Sequence, residues 1–334
     1  METSLETRCR ELLHHLDLIS ENENLIVAPL SGGVASDIAK VSTDKNTYCI
    51  KFALAKLRVK ADWFAPIERN YAEYCWLKTV ADIAPKSSLK LYGHSNQDHG
   101  FIMEFLSGED TYLLKQRLFD GEGQAKDAEA IGALLGLIHN TSSKPDFDVT
   151  PFQNHDDFHA IRIEPYLLYT ATKHDHLKQK LHEIADQLFS ANTVLIHGDV
   201  SPKNIMFSKG NPYILDAECA TMGDPAFDLA FCLNHFILKA IYVPNCFDRY
   251  LSFCGTFWDA YKDAVTWEDF GQLEKRLVTL LPMLMLARVD GKSPVEYFNE
   301  EQGNIVRDIS IPLIEQPENS ISSFLQKIKN GISS

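Results

Sequence analysis

Three short hydrophobic runs, TVLIHGD, NIMFSKG and PYILDAE, fall within residues 193–218, and the chain on both sides of them carries helical periodicity. Runs of this length cannot stand as a domain, because a lone pair of short strands is marginal in water. They are therefore read as a β-rich loop system set into a helical body. Each run is strand-like and delivers polar groups to its end, His197-Gly198-Asp199 from the first and Asp216-Ala217-Glu218 from the last.

Upstream the pattern differs. Leu5, Leu12, Leu13, Leu16 and Leu18 predict an amphipathic opening helix over residues 4–17. From about 25 to 54 the runs LIVAPL, SDIAKVST and TYCIKFA, separated by turn residues, predict an antiparallel meander. A helix over 67–80 follows, then a strand pair, LKLYGHS and GFIMEFL. Beyond Leu106, Ile131, Leu134, Leu135 and Ile138 repeat at helical spacing, and further helices are expected at 158–171, 176–189, 225–240, 247–263, 269–287 and 319–329. The order predicts an α+β chain: a small antiparallel β lobe at 1–105 and a larger, mainly helical lobe at 106–334, the boundary lying near Glu104 to Gly108.

Composition narrows the function classes. With 334 residues and 45% hydrophobic residues the chain can bury a large core, while a net charge of −14 disfavours a nucleic-acid partner. The acidic N-terminus lacks a signal-peptide core and no run approaches the length of a membrane span, so a cytoplasmic protein without membrane contact is expected. Seven cysteines form no C-x-x-C pair and read as reduced core thiols. A monomer and a homodimer are both compatible with these features.

Phosphoryl transfer from ATP needs a group that orients the hydroxyl nucleophile and oxygen ligands for Mg²⁺. Asp199 suits the first task, and Asn204 and Asp216 suit the second. The pattern H-G-D-x-x-x-x-N, followed by a hydrophobic strand ending in D-x-E, resembles the catalytic and metal loops of the aminoglycoside phosphotransferase and choline kinase superfamily. That resemblance implies a bilobal protein-kinase-like fold, an ATP- and Mg²⁺-dependent kinase, Asp199 as catalytic base, and Asn204 and Asp216 as metal ligands, with Glu218 a further candidate. It also implies that Lys51 contacts the nucleotide phosphates with Glu73 as its partner, that Gly32 and Gly33 belong to the phosphate-covering loop, and that Glu104 to Leu106 forms the adenine hinge. Asp228 is expected to hold the catalytic loop and to satisfy helix N–H groups, and His197 to act as an internal strut.

The resemblance also implies that the acceptor is a hydroxyl of a small molecule. Lys51-Phe52-Ala53-Leu54, Val59, Asp62-Trp63, Pro66, Arg69 and Glu73 are similar to the corresponding run of methylthioribose kinases, although those enzymes lack an Asn at the place of Asn204 and are longer. Choline, ethanolamine and aminoglycoside kinases are the alternatives, beside a catalytically silent nucleotide-binding protein and a metal-dependent hydrolase using Asp199, Asp216 and Glu218. A choline site calls for an aromatic cage, and no tight aromatic cluster is visible in the sequence. Arg162 and Arg288, the latter with Asp290, are candidate substrate contacts.

Overall fold

Alternation along a single strand decides how the N-terminal region is layered. The computed structural model describes residues 4–30, 36–54 and 69–333, and the chain divides into two compact units, Met1–Thr111 and Tyr112–Ser334. In the first, helix α1 (Leu5–His15) precedes strands β1 (Ile26–Pro29), β2 (Ser36–Ser42) and β3 (Thr47–Ala53), and helix α2 (Arg69–Ile83) precedes β4 (Leu91–Ser95) and β5 (Gly100–Glu104). The strands form one antiparallel sheet in the order β1-β2-β3-β5-β4. Tyr48, Ile50 and Phe52 of central β3 share a core with Cys9, Leu12 and Leu13 of α1. Successive strand residues point to opposite faces, so Lys51 faces away from α1 and meets α2 instead.

The second unit is mainly helical. It opens with β6 (Tyr112–Leu113), α3 (Leu114–Phe119) and α4 (Ala125–Ser142), followed by α5 (His155–Phe158), a π-helix (His159–Leu168), α6 (Tyr169–Ala171) and α7 (Lys178–Ser190). Strands β7 (Val194–Ile196), β8 (Ile205–Ser208), β9 (Asn211–Ile214) and β10 (Thr221–Gly223) then lead to α8 (Pro225–Tyr242), α9 (Phe247–Lys262), α10 (Phe270–Asp290), α11 (Glu300–Glu315) and α12 (Ile321–Ser333). Every residue of α8 from Pro225 to Ile241 is buried. A helix apolar on most of its circumference belongs inside a helical body, and here α8 packs against α9 and α10.

The mixed architecture, an antiparallel sheet followed by a mainly helical remainder, is the α+β class that the sequence predicts. Some details differ. The helix expected over 158–171 is largely a π-helix, and it contains Pro165. Proline has no N–H for a regular helical ladder and clashes with the preceding turn, which favours a locally widened helix. The Pro165 carbonyl accepts a hydrogen bond from the Lys292 amide at 3.0 Å instead. The sequence reading also passes over β6, β10, α3 and α11. No helix among the described residues is long and apolar enough to cross a membrane. All seven cysteines are buried free thiols, and burial pushes the Cys49 and Cys219 thiols up to about 12.

Candidate active site

In the first unit β3 and α2 each contribute one charge. Lys51 Nζ lies 2.6 Å from Glu73 Oε2, with side-chain exposures of 3% and 1%. Removing two charges from water is costly and is offset only when they meet in good geometry. This pair therefore holds an ammonium at a fixed place on the sheet. Strand β5 ends at Glu104, whose amide donates to the Lys90 carbonyl at 2.8 Å, and Leu106 lies beyond the last ladder pair. Gly32, Gly33, Val59, Asp62, Trp63 and Pro66 lie outside the described residues.

The second unit assembles the candidate catalytic loop from β7 and the base of the β8–β9 hairpin. Gly198 adopts φ +79°, and a Cβ there would sit 2.7 Å from Cys219 Sγ, so the H-G-D turn requires glycine. Asp228 receives two amides in the loop, from His197 N at 2.6 Å and Gly198 N at 2.8 Å. Its carboxylate does not cap α8. That task falls to Asp224, which accepts from the Ala226 amide at 2.9 Å, because the buried first turn of α8 aims Asp228 at β7. His197 Nδ1 accepts from the Asp199 amide at 3.1 Å, which assigns the proton to Nε2, the donor to the Leu215 carbonyl at 3.0 Å. Burial lowers the pKa of this imidazole, in keeping with a neutral strut.

These contacts bring Asp199, Asn204 and Asp216 into one loop system. Asn204 Nδ2 donates to the Asp199 carbonyl at 3.1 Å, which leaves its amide oxygen as the atom suited to a hard cation. The Asn204 carbonyl accepts from the Leu215 amide at 2.8 Å, so Asp216 lies two residues past the end of β9. Asp216 has φ 69°, a left-handed conformation that a non-glycine residue adopts at a cost. Glu218 is buried two residues further on. Among the described residues no group of three or more His, Cys, Asp or Glu is arranged to hold a metal ion. A hard-oxygen set of one amide and one or two carboxylates suits Mg²⁺, which keeps several waters.

Asp199 itself is 6% exposed, and its Oδ2 is shared by Arg162 Nη2 at 2.9 Å and Lys203 Nζ at 3.2 Å. Burial opposes ionisation, but Lys203, then Arg162, outweigh it and hold the carboxyl below the ordinary carboxylate range. Asp199 Oδ1 and Ser201 Oγ are buried without a hydrogen-bond partner among the described residues. Sequence reasoning names Arg162 as a substrate contact. Its donors instead go to Asp199, the Gly198 carbonyl and the Ile161 carbonyl. Lys203 was not selected for any role, although its spacing of four residues from Asp199 is a readable signal.

Arg288 Nη1 donates to Tyr166 Oη at 3.1 Å, to Ser293 Oγ at 3.1 Å and to the Ser293 carbonyl. Asp290 is committed to Arg307 at 2.7 Å and His174 at 2.9 Å. The absence of an aromatic cluster from the sequence reading is corrected by the fold. Phe119, Tyr242, Tyr297 and Phe298 pack with ring centroids 4.8–5.3 Å apart in successive edge contacts. They come from α3, α8 and the segment before α11, so no window of sequence contains them together.

The model of the phosphotransferase enzyme family matches residues 26–263, more than half of the 334-residue chain. The chain belongs to that family. Among curated relatives of this phosphotransferase, the methylthioribose kinase of Bacillus mycoides (strain KBAB4) is 22% identical over 250 residues, covering 65% of this chain and 62% of the relative. That of Bacillus cereus (strain B4264) is 23% identical over 248 residues, covering 66% and 62%. The match thus spans less than two thirds of the length of these relatives. Among solved structures, choline kinase LicA from Streptococcus pneumoniae has a TM-score of 0.55 at 17% identity, covering 94% of this chain and 99% of that one. A choline/ethanolamine kinase family protein from Mesorhizobium loti has a TM-score of 0.56 at 14% identity, covering 97% and 99%. These likenesses establish the kinase-like fold.

Proposed function

We propose that this phosphotransferase moves the γ-phosphoryl group of ATP to a hydroxyl of a small, sugar-like molecule, with Asp199 on the acceptor side. The observation that carries the reading is the state of Asp199: buried, held ionised by two cations on one oxygen, with the other oxygen unpartnered. Oδ1 is then the atom that accepts the hydroxyl hydrogen bond. As the new O–P bond forms and the bond to ADP breaks, the hydroxyl proton passes to Asp199. A carboxylate held so firmly ionised is a weak base, so its chief contribution is to orient the nucleophile until late in the step, as a loose transition state requires.

Asn204 and Asp216, with Glu218 beside them, would hold Mg²⁺, which when bound offsets charge on the phosphates. Lys51, aimed by Glu73, would meet the nucleotide phosphates, and the backbone of Glu104 to Leu106 the adenine. Asp228 and His197 hold the loop that carries Asp199. The sugar-like acceptor draws its support from the methylthioribose kinases among the relatives. The intact set of Lys51, Asp199, Asn204 and Asp216 speaks against a silent nucleotide-binding protein. A coupled ADP-release assay with Mg-ATP against methylthioribose, other pentoses, choline, ethanolamine, homoserine and aminoglycosides tests the reading. Acceptor-dependent ADP release that vanishes in Asp199→Asn is expected. ADP release that is independent of every acceptor, or unchanged in that variant, would count against it.

A further inference from the structure

Phe231, His235 and Lys239 recur every four residues on the buried helix α8, so they form one stripe along its surface. Phe231 begins the stripe next to the catalytic loop: the Arg162 guanidinium, paired with Asp199, lies 6.0 Å from its ring. His235 packs on Phe231 at 5.5 Å, and Tyr166 packs on the same ring at 5.4 Å. Arg288 reaches Tyr166 Oη at 3.1 Å. At the far end Lys239, 2% exposed, points its ammonium at the rings of Tyr297 (3.6 Å) and Phe119 (4.3 Å).

The fixed positive charge beside this row is the Arg288 guanidinium. Among the described residues no carboxylate lies within ion-pair distance of Arg288 or Lys239, and the adjacent Glu296 is taken by Lys115 at 2.6 Å. Arg288 uses only Nη1, toward neutral partners. Its Nε is buried without a partner, and no described residue accepts from Nη2. The Nε–Nη2 edge of a guanidinium presents two parallel N–H groups, the geometry that grips a carboxylate with two hydrogen bonds. The aromatic cage is meanwhile filled by the chain's own ammonium, which denies it to an incoming one. The surplus of positive charge is felt by neighbouring groups. Burial, then Lys115 and Arg288, against Glu296, lowers Lys239 to about 7. Burial, then Arg288 and Lys239, keeps His235 well below the ordinary imidazole value.

We propose that the acceptor is an alcohol carrying a carboxylate, such as a sugar acid, received by the free edge of Arg288 with Lys239 and His235 alongside. This deepens the reading above and rests on Asp199 as the acceptor-side group. It excludes acceptors whose nearest charged group is an ammonium, because the Arg288 guanidinium would repel them.

The test uses three pyranoses that differ only at C6: glucuronate, glucose and 6-amino-6-deoxyglucose. Isothermal titration into the full-length protein at pH 7 is expected to show glucuronate binding at least about tenfold more tightly than either of the others. Arg288→Met should remove most of that preference and Lys239→Met should reduce it, with folding confirmed by circular dichroism. Arg288→Lys, which keeps the charge and loses the planar edge, supplies a second variant should the Met form not fold, and is expected to weaken the preference several-fold. Equal or tighter binding of the neutral or ammonium sugar, no binding of glucuronate, or an undiminished preference in the folded variants would overturn the inference. ADP release from Mg-ATP separates the two readings. Turnover of some acceptor without any preference for the carboxylate sinks the inference and leaves the phosphotransferase reading standing. A clear preference with no ATP consumption for any acceptor sinks the phosphotransferase reading and leaves only a carboxylate-binding site at Arg288.

Discussion

Lys51 and Asp199 are both buried charges, and the two units treat them in opposite ways. Lys51 has Glu73 at 2.6 Å, both nearly without exposure. Asp199 has Arg162 and Lys203 on a single oxygen, two cations to one carboxylate, and an idle second oxygen. An ammonium met at close range by a carboxylate is locally balanced, and the pairing serves to aim it. An unbalanced one keeps its carboxylate ionised while leaving a coordination point open, which is what an incoming hydroxyl needs. The two pairings thus differ in a way that burial alone does not show.

The largest effect should come from Asp216→Ala, which removes the carboxylate beside Asn204: metal-dependent turnover is expected to disappear while circular dichroism stays unchanged, and full activity in excess chelator would remove the metal assignment. Asp199→Asn keeps size and hydrogen bonding but abolishes the charge on which the unbalanced site depends. Turnover should fall about a hundredfold or more, a typical contribution of a positioned proton acceptor, with nucleotide affinity by titration little altered. Near-parental turnover would break the comparison at its catalytic side.

On the balanced side, Lys51→Ala should lower kcat/KM for ATP by at least about tenfold, and Glu73→Ala less. Removing one member of a buried pair costs about 3–5 kcal/mol, so both variants should also unfold at lower denaturant concentration. Unchanged ATP kinetics in the Lys51 variant would show that the pair is structural alone. The smallest effect belongs to Lys203→Met. Its side chain is 53% exposed, and exposed pairs are worth about 0.2–1 kcal/mol, which corresponds to a loss of at most about fivefold in turnover, shrinking as salt is raised.

Much of the fold is legible because period and length agree. The meander of β1 to β3 and the buried stripe of α4 announce themselves in alternation and helical spacing. What escapes has physical reasons. Strand β6 contains only Tyr112 and Leu113, too short for any period to show, and α11 begins with the polar run Glu300-Glu301-Gln302 and carries Pro312 inside. Asp228 and Asp224 both precede or open the same apolar helix, so sequence alone could not decide which caps it and which turns toward His197 and Gly198. The pairing of Arg162 with Asp199 and the aromatic group around Lys239 join residues from distant parts of the chain, a relation that local pattern does not encode. Lys51, Asp199, Asn204 and Asp216 can be singled out from sequence because they stand at fixed spacings within short strand-loop units.

The widened turn at His159–Leu168 has a consequence for how this enzyme could diverge. A π-helical stretch behaves as an α-helix that has accepted an extra residue, and each residue of an α-helix turns the ones after it by about 100°. Loss of one codon between His159 and Arg162 would let the segment relax to the commoner geometry and swing the Arg162 guanidinium off Asp199. One codon lost between Arg162 and Tyr166 would instead break the alignment of Asp199's partner with the tyrosine that Arg288 grips. On the proposed reading, acceptor choice is therefore open to change through segment length, by single-codon gain or loss, with every side chain of the loop that carries Asp199 left as it is.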